Sequence, residues 1–163
     1  VAQPSLREQL NKRDPFDSIE QEVFLNLLRC SAELAGPFHA LFKKHKLTEA
    51  SYNTLRILRG HMLAGEEHGV KASKIGCEMV VRVPDVTRLV DRLVEMGLAE
   101  RGSCEADRRV VYVRITKAGL KLLEKLDTPV RELHAQTLGH LSRADLKELN
   151  RLLTLARESI QAS

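Results

Sequence analysis

Apolar residues recur at helical spacing along most of this chain, and the interruptions mark where it changes direction. Ile19, Val23, Phe24, Leu27 and Leu28 share one helix face, and the stripe continues through Leu34, Phe38, Leu41 and Phe42. Gly36 followed by Pro37 predicts a kink or break there, because proline removes a backbone donor and clashes with the preceding turn. Thr48 is a good N-cap for a second helix, which carries Tyr52, Leu55, Ile57 and Leu58 and is expected to stop near Gly60. Residues 64–69 read as a polar loop. Two short helical patterns follow, over 72–79 and 84–96. Pro84 is pre-set for a first helical position with Asp85 complementing the helix dipole, although Val83 is a poor N-cap, and Gly97 suits the residue after the last turn.

The period changes at Leu98. Residues 98–104 and 110–115 are rich in extended-structure formers, and the short polar stretch between them predicts a hairpin with a charged tip. Thr116 then caps a helix striped by Leu120, Leu123, Leu126, Val130, Leu133, Thr137 and Leu141, with Pro129 expected to bend it. Ser142 with Asp145 forms a capping signature for a last helix bearing Leu146, Leu149, Leu152, Leu153, Ala156 and Ile160. The order of elements is therefore four helices, a hairpin and two helices. The fold class is mainly α with a small β-hairpin.

Two short helices followed by a hairpin are the pattern of a winged helix-turn-helix. The second short helix sets Asp85, Thr87, Arg88, Asp91 and Arg92 on a polar side and Val86, Leu89, Val90 and Leu93 on the side that packs inward. A helix of that size fits the major groove of duplex DNA, where short polar and arginine side chains reach base edges. An ordinary amphipathic helix with a solvated charged face shows the same pattern, so the helix alone does not decide.

Composition agrees with both readings. The chain has 163 residues and a formal charge of +4, which suits an anionic partner without requiring one. Its 43% hydrophobic content supports a core, but no apolar run reaches the ~18 residues of a membrane helix. No secretory signal is expected in the polar first eighteen residues. With no tryptophan and 4% aromatics, a base-stacking surface for single strands is not expected. Cys30, Cys77 and Cys104 lack zinc or redox spacing, so they read as free thiols in a reducing cytoplasm, Cys30 buried in its helix. His61, Glu66, Glu67 and His68 read as a solvated loop and not a metal site. Neither a cofactor nor a metal is expected. No phosphate loop, nucleophile elbow or zinc-protease motif is present, so the chain does not read as an enzyme.

The hairpin and its flanks carry a more specific signal. Asp107, Arg108 and Arg109 at the tip, the strand from Val110 to Ile115, and then Thr116 and Gly119 resemble the wing signature of the MarR (multiple antibiotic resistance regulator) family. Val86 to Leu93, followed by Gly97 and Leu98, resembles that family's recognition helix, and Leu47, Thr48, Tyr52 and Leu55 its second helix. By motif the resemblance covers roughly 20–125.

The resemblance implies a winged helix-turn-helix with N- and C-terminal dimerisation helices. On that plan 1–17 is an arm, 18–46 and 117–163 supply the dimer, and 47–116 binds DNA. The homodimer would read a pseudo-palindromic operator in double-stranded DNA, the role of a repressor. The position of Arg109 is the family's minor-groove arginine and that of Asp107 its buttress. A hairpin arginine is physically suited to the negative minor groove, and a carboxylate two residues away can orient it. Small phenolic or lipophilic effectors tune the family, which directs attention to Phe38, Phe42, Tyr52 and Arg56. These three rings also read as plain core. A winged helix serving only protein contacts is the alternative reading.

Overall fold

The computed structural model describes residues 4–66, 68–103 and 111–161. These form α1 (Leu6–Gln9), α2 (Ile19–Lys43), α3 (Glu49–Leu63), β1 (Val70–Lys71), α4 (Ala72–Glu78), α5 (Val86–Glu95), β2 (Ala99–Ser103), β3 (Val111–Ile115), α6 (Lys117–Leu138) and α7 (Arg143–Gln161). The chain divides into two compact units, one ending at Asn53 and the other beginning at Thr54, within α3.

In the first unit, Leu6, Phe42, Leu47 and Ser51 are buried. Thr48 starts α3 as expected, its Oγ1 accepting from the Ser51 amide at 3.1 Å. The arm holds the short helix α1, opened by a capping box in which Ser5 and Glu8 satisfy each other's amides. α2 continues through Gly36 and Pro37 instead of breaking. Proline costs one hydrogen bond, and in a helix of 25 residues cooperative propagation on both sides outweighs that loss. α6 likewise runs on through Pro129. Cys30 is exposed, contrary to expectation, because the level of α2 it occupies is open, as Leu27 and Leu28 beside it also are.

The second unit holds a three-stranded antiparallel sheet in the order β1-β3-β2. Five pairs run from Ala99 opposite Ile115 to Ser103 opposite Val111, so the hairpin forms as its sequence predicts. β1, which no periodicity marks, adds Val70 opposite Val113. Val70, Ile75, Val90, Leu93, Val113, Leu123 and Leu126 are almost fully buried and make the core. α3 passes Gly60 and ends at Leu63, since one glycine costs only about 1 kcal/mol against alanine.

Two junctions fix how α6 meets the sheet. Thr116 caps α6, accepting from the Gly119 amide at 3.1 Å, while its Oγ1 donates to the Gly97 carbonyl at 2.7 Å. A Cβ at Gly119 would lie 2.4 Å from the Leu98 carbonyl oxygen and 2.7 Å from Ile115 Cγ1, so only glycine lets the helix approach so closely. Deeper along α6, Asp127 accepts two hydrogen bonds from Arg59 of α3, at 2.7 and 2.8 Å. The Arg59 guanidinium holds the Asp127 carboxyl below its ordinary range against the opposing effect of burial, with Arg56 and Arg131 adding to the pull.

Candidate nucleic-acid interface

α5 is positioned from both ends. Its N-cap is Asp85, whose Oδ1 accepts from the Arg88 amide at 2.9 Å, so the helix begins after Pro84 and not on it. A side-chain cap outweighs the conformational advantage of proline in setting that boundary. At the other end Gly97, at φ +70°, sends its amide to Val94 at 2.8 Å and that of Leu98 to Leu93 at 2.9 Å, the paired bonds of a Schellman ending.

The two faces of α5 separate as the sequence predicts. Val90 and Leu93 are wholly buried, Val86 and Leu89 half-buried, and Thr87, Arg88, Asp91 and Arg92 exposed. α5 lies against α4 and β2. Arg101 of β2 pairs with Asp91 at 2.6 Å and reaches within 3.5 Å of the Thr87 carbonyl, tying helix to strand. The sequence reading missed Arg101. An arginine on a short strand facing an aspartate ten residues earlier is a signal only once the strand is known to pack beside the helix.

Behind α4 lies a charged cluster. His61 of α3 meets Glu78, the last residue of α4, through Nε2 at 2.7 Å and Glu66 through Nδ1 at 3.0 Å. Lys74 of α4 also holds Glu66, at 3.0 Å. Ionised carboxylates only accept, so the form of the imidazole that satisfies both is the one with a proton on each nitrogen. Accordingly the His61 pKa is raised, chiefly by the bond to Glu78, against the cost of desolvation and with help from Glu66. Among the described residues no group of three or more His, Cys, Asp or Glu side chains is arranged to hold a metal.

The remaining sequence-predicted residues fall in three places. Asp107, Arg108, Arg109 and Cys104 lie outside the described residues. Phe38, Phe42 and Tyr52 come together in the first unit: Phe42 stacks on Tyr52 with centroids 4.4 Å apart, and Phe38 tilts against Phe42 at 6.4 Å. Arg56 belongs to the second unit, 3.9 Å from Asp127.

The model of the MarR family matches residues 47–111, from the residue before the Thr48 cap of α3 to the start of β3. A MarR transcription factor from Planctomyces limnophilus, known as a crystal structure, is 40% identical, aligns over 86% of this chain and 99% of its own, and superposes with a TM-score of 0.65. This chain belongs to the MarR family. The HTH-type transcriptional repressor IacR of Pseudomonas putida is 28% identical over 143 residues, 87% of this chain and 81% of that protein. MepR of S. aureus, in its complex with DNA, shares the fold with a TM-score of 0.73 at 22% identity, over 83% of this chain and 97% of that one. As a member of the MarR family the protein is a DNA-binding transcriptional regulator and not an enzyme. Among its described residues no helix is long and apolar enough to cross a membrane.

Proposed function

We propose that this MarR-family regulator is a cytoplasmic repressor that binds a pseudo-palindromic operator in double-stranded DNA as a homodimer and is released by a small ligand. The observation that carries the reading is α5. It is capped and locked at both ends, is held to β2 by the Arg101–Asp91 pair, and turns Thr87, Arg88 and Arg92 outward. Rigid presentation of short polar and arginine side chains is what direct readout of base edges requires. In this reading Asp85, Thr87, Arg88 and Arg92 meet the major groove, Arg108 meets phosphate, and Arg109, oriented by Asp107, enters the minor groove.

The homodimer is supported by apolar faces that this chain leaves open. Ile19 of α2 is 67% exposed and Phe24 59%, and Leu152 and Leu155 of α7 are each 49% exposed. A second copy covering them is the economical account, because such side chains gain most from leaving water. The assignment of repression follows IacR, which bears that role in its name. Release by a phenolic or lipophilic effector is carried over from the family resemblance, with Phe38, Phe42 and Tyr52, which cluster in the first unit, as the side chains to substitute first.

The test is selection of bound fragments from genomic DNA, followed by a salt titration on the recovered site. If each half-site neutralises ~3 phosphates, log affinity should fall against log salt with a slope near −5 for the dimer. Recovery of no common sequence, or a nearly flat titration, would point instead to a winged helix that contacts only proteins.

A further inference from the structure

The turn joining α4 to α5 ends in the cap of the recognition helix, yet its outermost side chains are apolar. Met79 folds inward at 7% exposure, but Val80 and Val81 stand 87% and 72% exposed. Single apolar residues on a surface need no explanation. Two adjacent β-branched residues, five and four positions ahead of Asp85, are a different matter, because of what lies beyond them.

A recognition helix enters the major groove by its N-terminal residues, and the turn that carries Val80 and Val81 leads into that end of α5. Arg82 follows the two valines directly and is exposed, as is Arg88 in the first turn of α5. Exposed cations that follow the pair, one of them its direct neighbour, favour a polyanion as its cover over an apolar protein surface. Along the major-groove edges of the base pairs, the apolar group on offer is the C5-methyl of thymine; the other groups are hydrogen-bond donors and acceptors. An apolar turn that runs into exposed arginines at the start of α5 therefore has one chemical complement in duplex DNA.

We propose that Val80 and Val81 read thymine in the operator through its C5-methyl group, as specificity-determining residues outside the recognition helix. The inference rests on the DNA-binding reading above and adds a base preference to it. Hydrophobic contact with a methyl is short-ranged, so the preference belongs to particular positions and not to T-rich sequence in general.

The experiment uses the full chain and the operator recovered by selection. Each thymine is replaced singly by deoxyuridine, which deletes the methyl and leaves every hydrogen bond unchanged. Affinities are measured for the parent and for Val80→Ser, Val81→Ser and the double variant, with thermal melts as a control. At one or more thymines the parent should lose about fourfold in affinity, the worth of one buried methyl group. At those positions the double variant should bind the thymine and uracil operators equally. Should the double variant melt early, the two single variants should each show part of the lost discrimination. A parent indifferent to every replacement, or a double variant that keeps the parent's discrimination, overturns the proposal while leaving DNA binding intact. Failure of the parent to bind any duplex specifically would overturn both readings.

Discussion

His61 shows how one side chain links the body of the second unit to its reading head. Two carboxylates from different elements face its two nitrogens, and both favour the protonated imidazolium. Its pKa in the folded chain lies above that in the unfolded chain, so the sign of the linkage is fixed. The stabilisation is complete below the unfolded value of about 6.5 and is lost as pH rises through the elevated folded value. Thermal melts of the parent should therefore decline from pH 6 towards alkaline pH relative to His61→Gln, which lacks the proton. Parallel curves for the two proteins would show that the contacts do not hold α4. The wing arginine offers the contrasting case, a residue expected to matter for binding alone. Arg109→Ala should weaken operator binding by about 1–3 kcal/mol per half-site, the usual cost of one good groove contact, with melting nearly unchanged. Asp107→Ala should do less, since the arginine stays and loses only its orientation. If Arg109→Ala binds like the parent, the wing has no part in recognition.

At the scale of elements, α5 carries the recognition surface and depends on its cap. Asp85→Ala removes the acceptor for the Arg88 amide and should cost about 1 kcal/mol of stability, within the usual 0.5–2 kcal/mol for a lost N-cap. Asp85→Asn should restore that stability, because asparagine caps equally well, and it also removes a negative charge from the face proposed to meet DNA. Melts and operator titrations of both variants separate the two roles. If alanine melts like the parent, the cap is not what holds the helix. This start was only partly legible in the sequence. Periodicity located the helix and both its faces, but Pro84 and Asp85 were competing signals, and the side-chain bond decided between them. The signature that places α7 at Ser142 and Asp145 also occurs at Ser5 and Glu8, where it starts α1, a helix too short for its apolar pattern to show. β1 is two residues long and forms only because β3 offers it an edge. Arg101 was hidden for a related reason: its partner Asp91 lies on another element, and no spacing rule within one element links them. Long periodic helices and a β-branched strand declare themselves locally, while caps in competition, minimal strands and ion pairs between elements are settled by packing.

For the whole molecule the open question of physics is what covers α2 and α7. The core of the second unit closes on residues such as Leu93, Leu123 and Leu126, which are fully buried, whereas most of the leucines of α7 are not. Leu149, Leu152, Leu153 and Leu155 are left between 37% and 49% exposed, and Ile19, Val23, Phe24, Leu27 and Leu28 between 40% and 67%. In a monomer, replacing one such exposed residue by a charged one should shift stability by no more than about 0.5 kcal/mol. In a dimer that buries these faces the same change puts an unpaired charge into an apolar contact, which costs several times as much. Phe24→Glu and Leu152→Glu should therefore convert a dimer to monomer at micromolar concentration, as read by sedimentation, and deleting residues 142–163 should leave monomer or aggregate. Melting temperature gives an independent check. Dimerisation stabilises by mass action, so the parent's melting temperature should rise with protein concentration and that of the glutamate variants should not. A soluble, monomeric parent whose melting ignores concentration would remove the two-fold axis, and with it the reason to expect a pseudo-palindromic operator. The wing and α5 would then have to find their specificity on a single half-site, where the salt slope falls to about half that expected of the dimer.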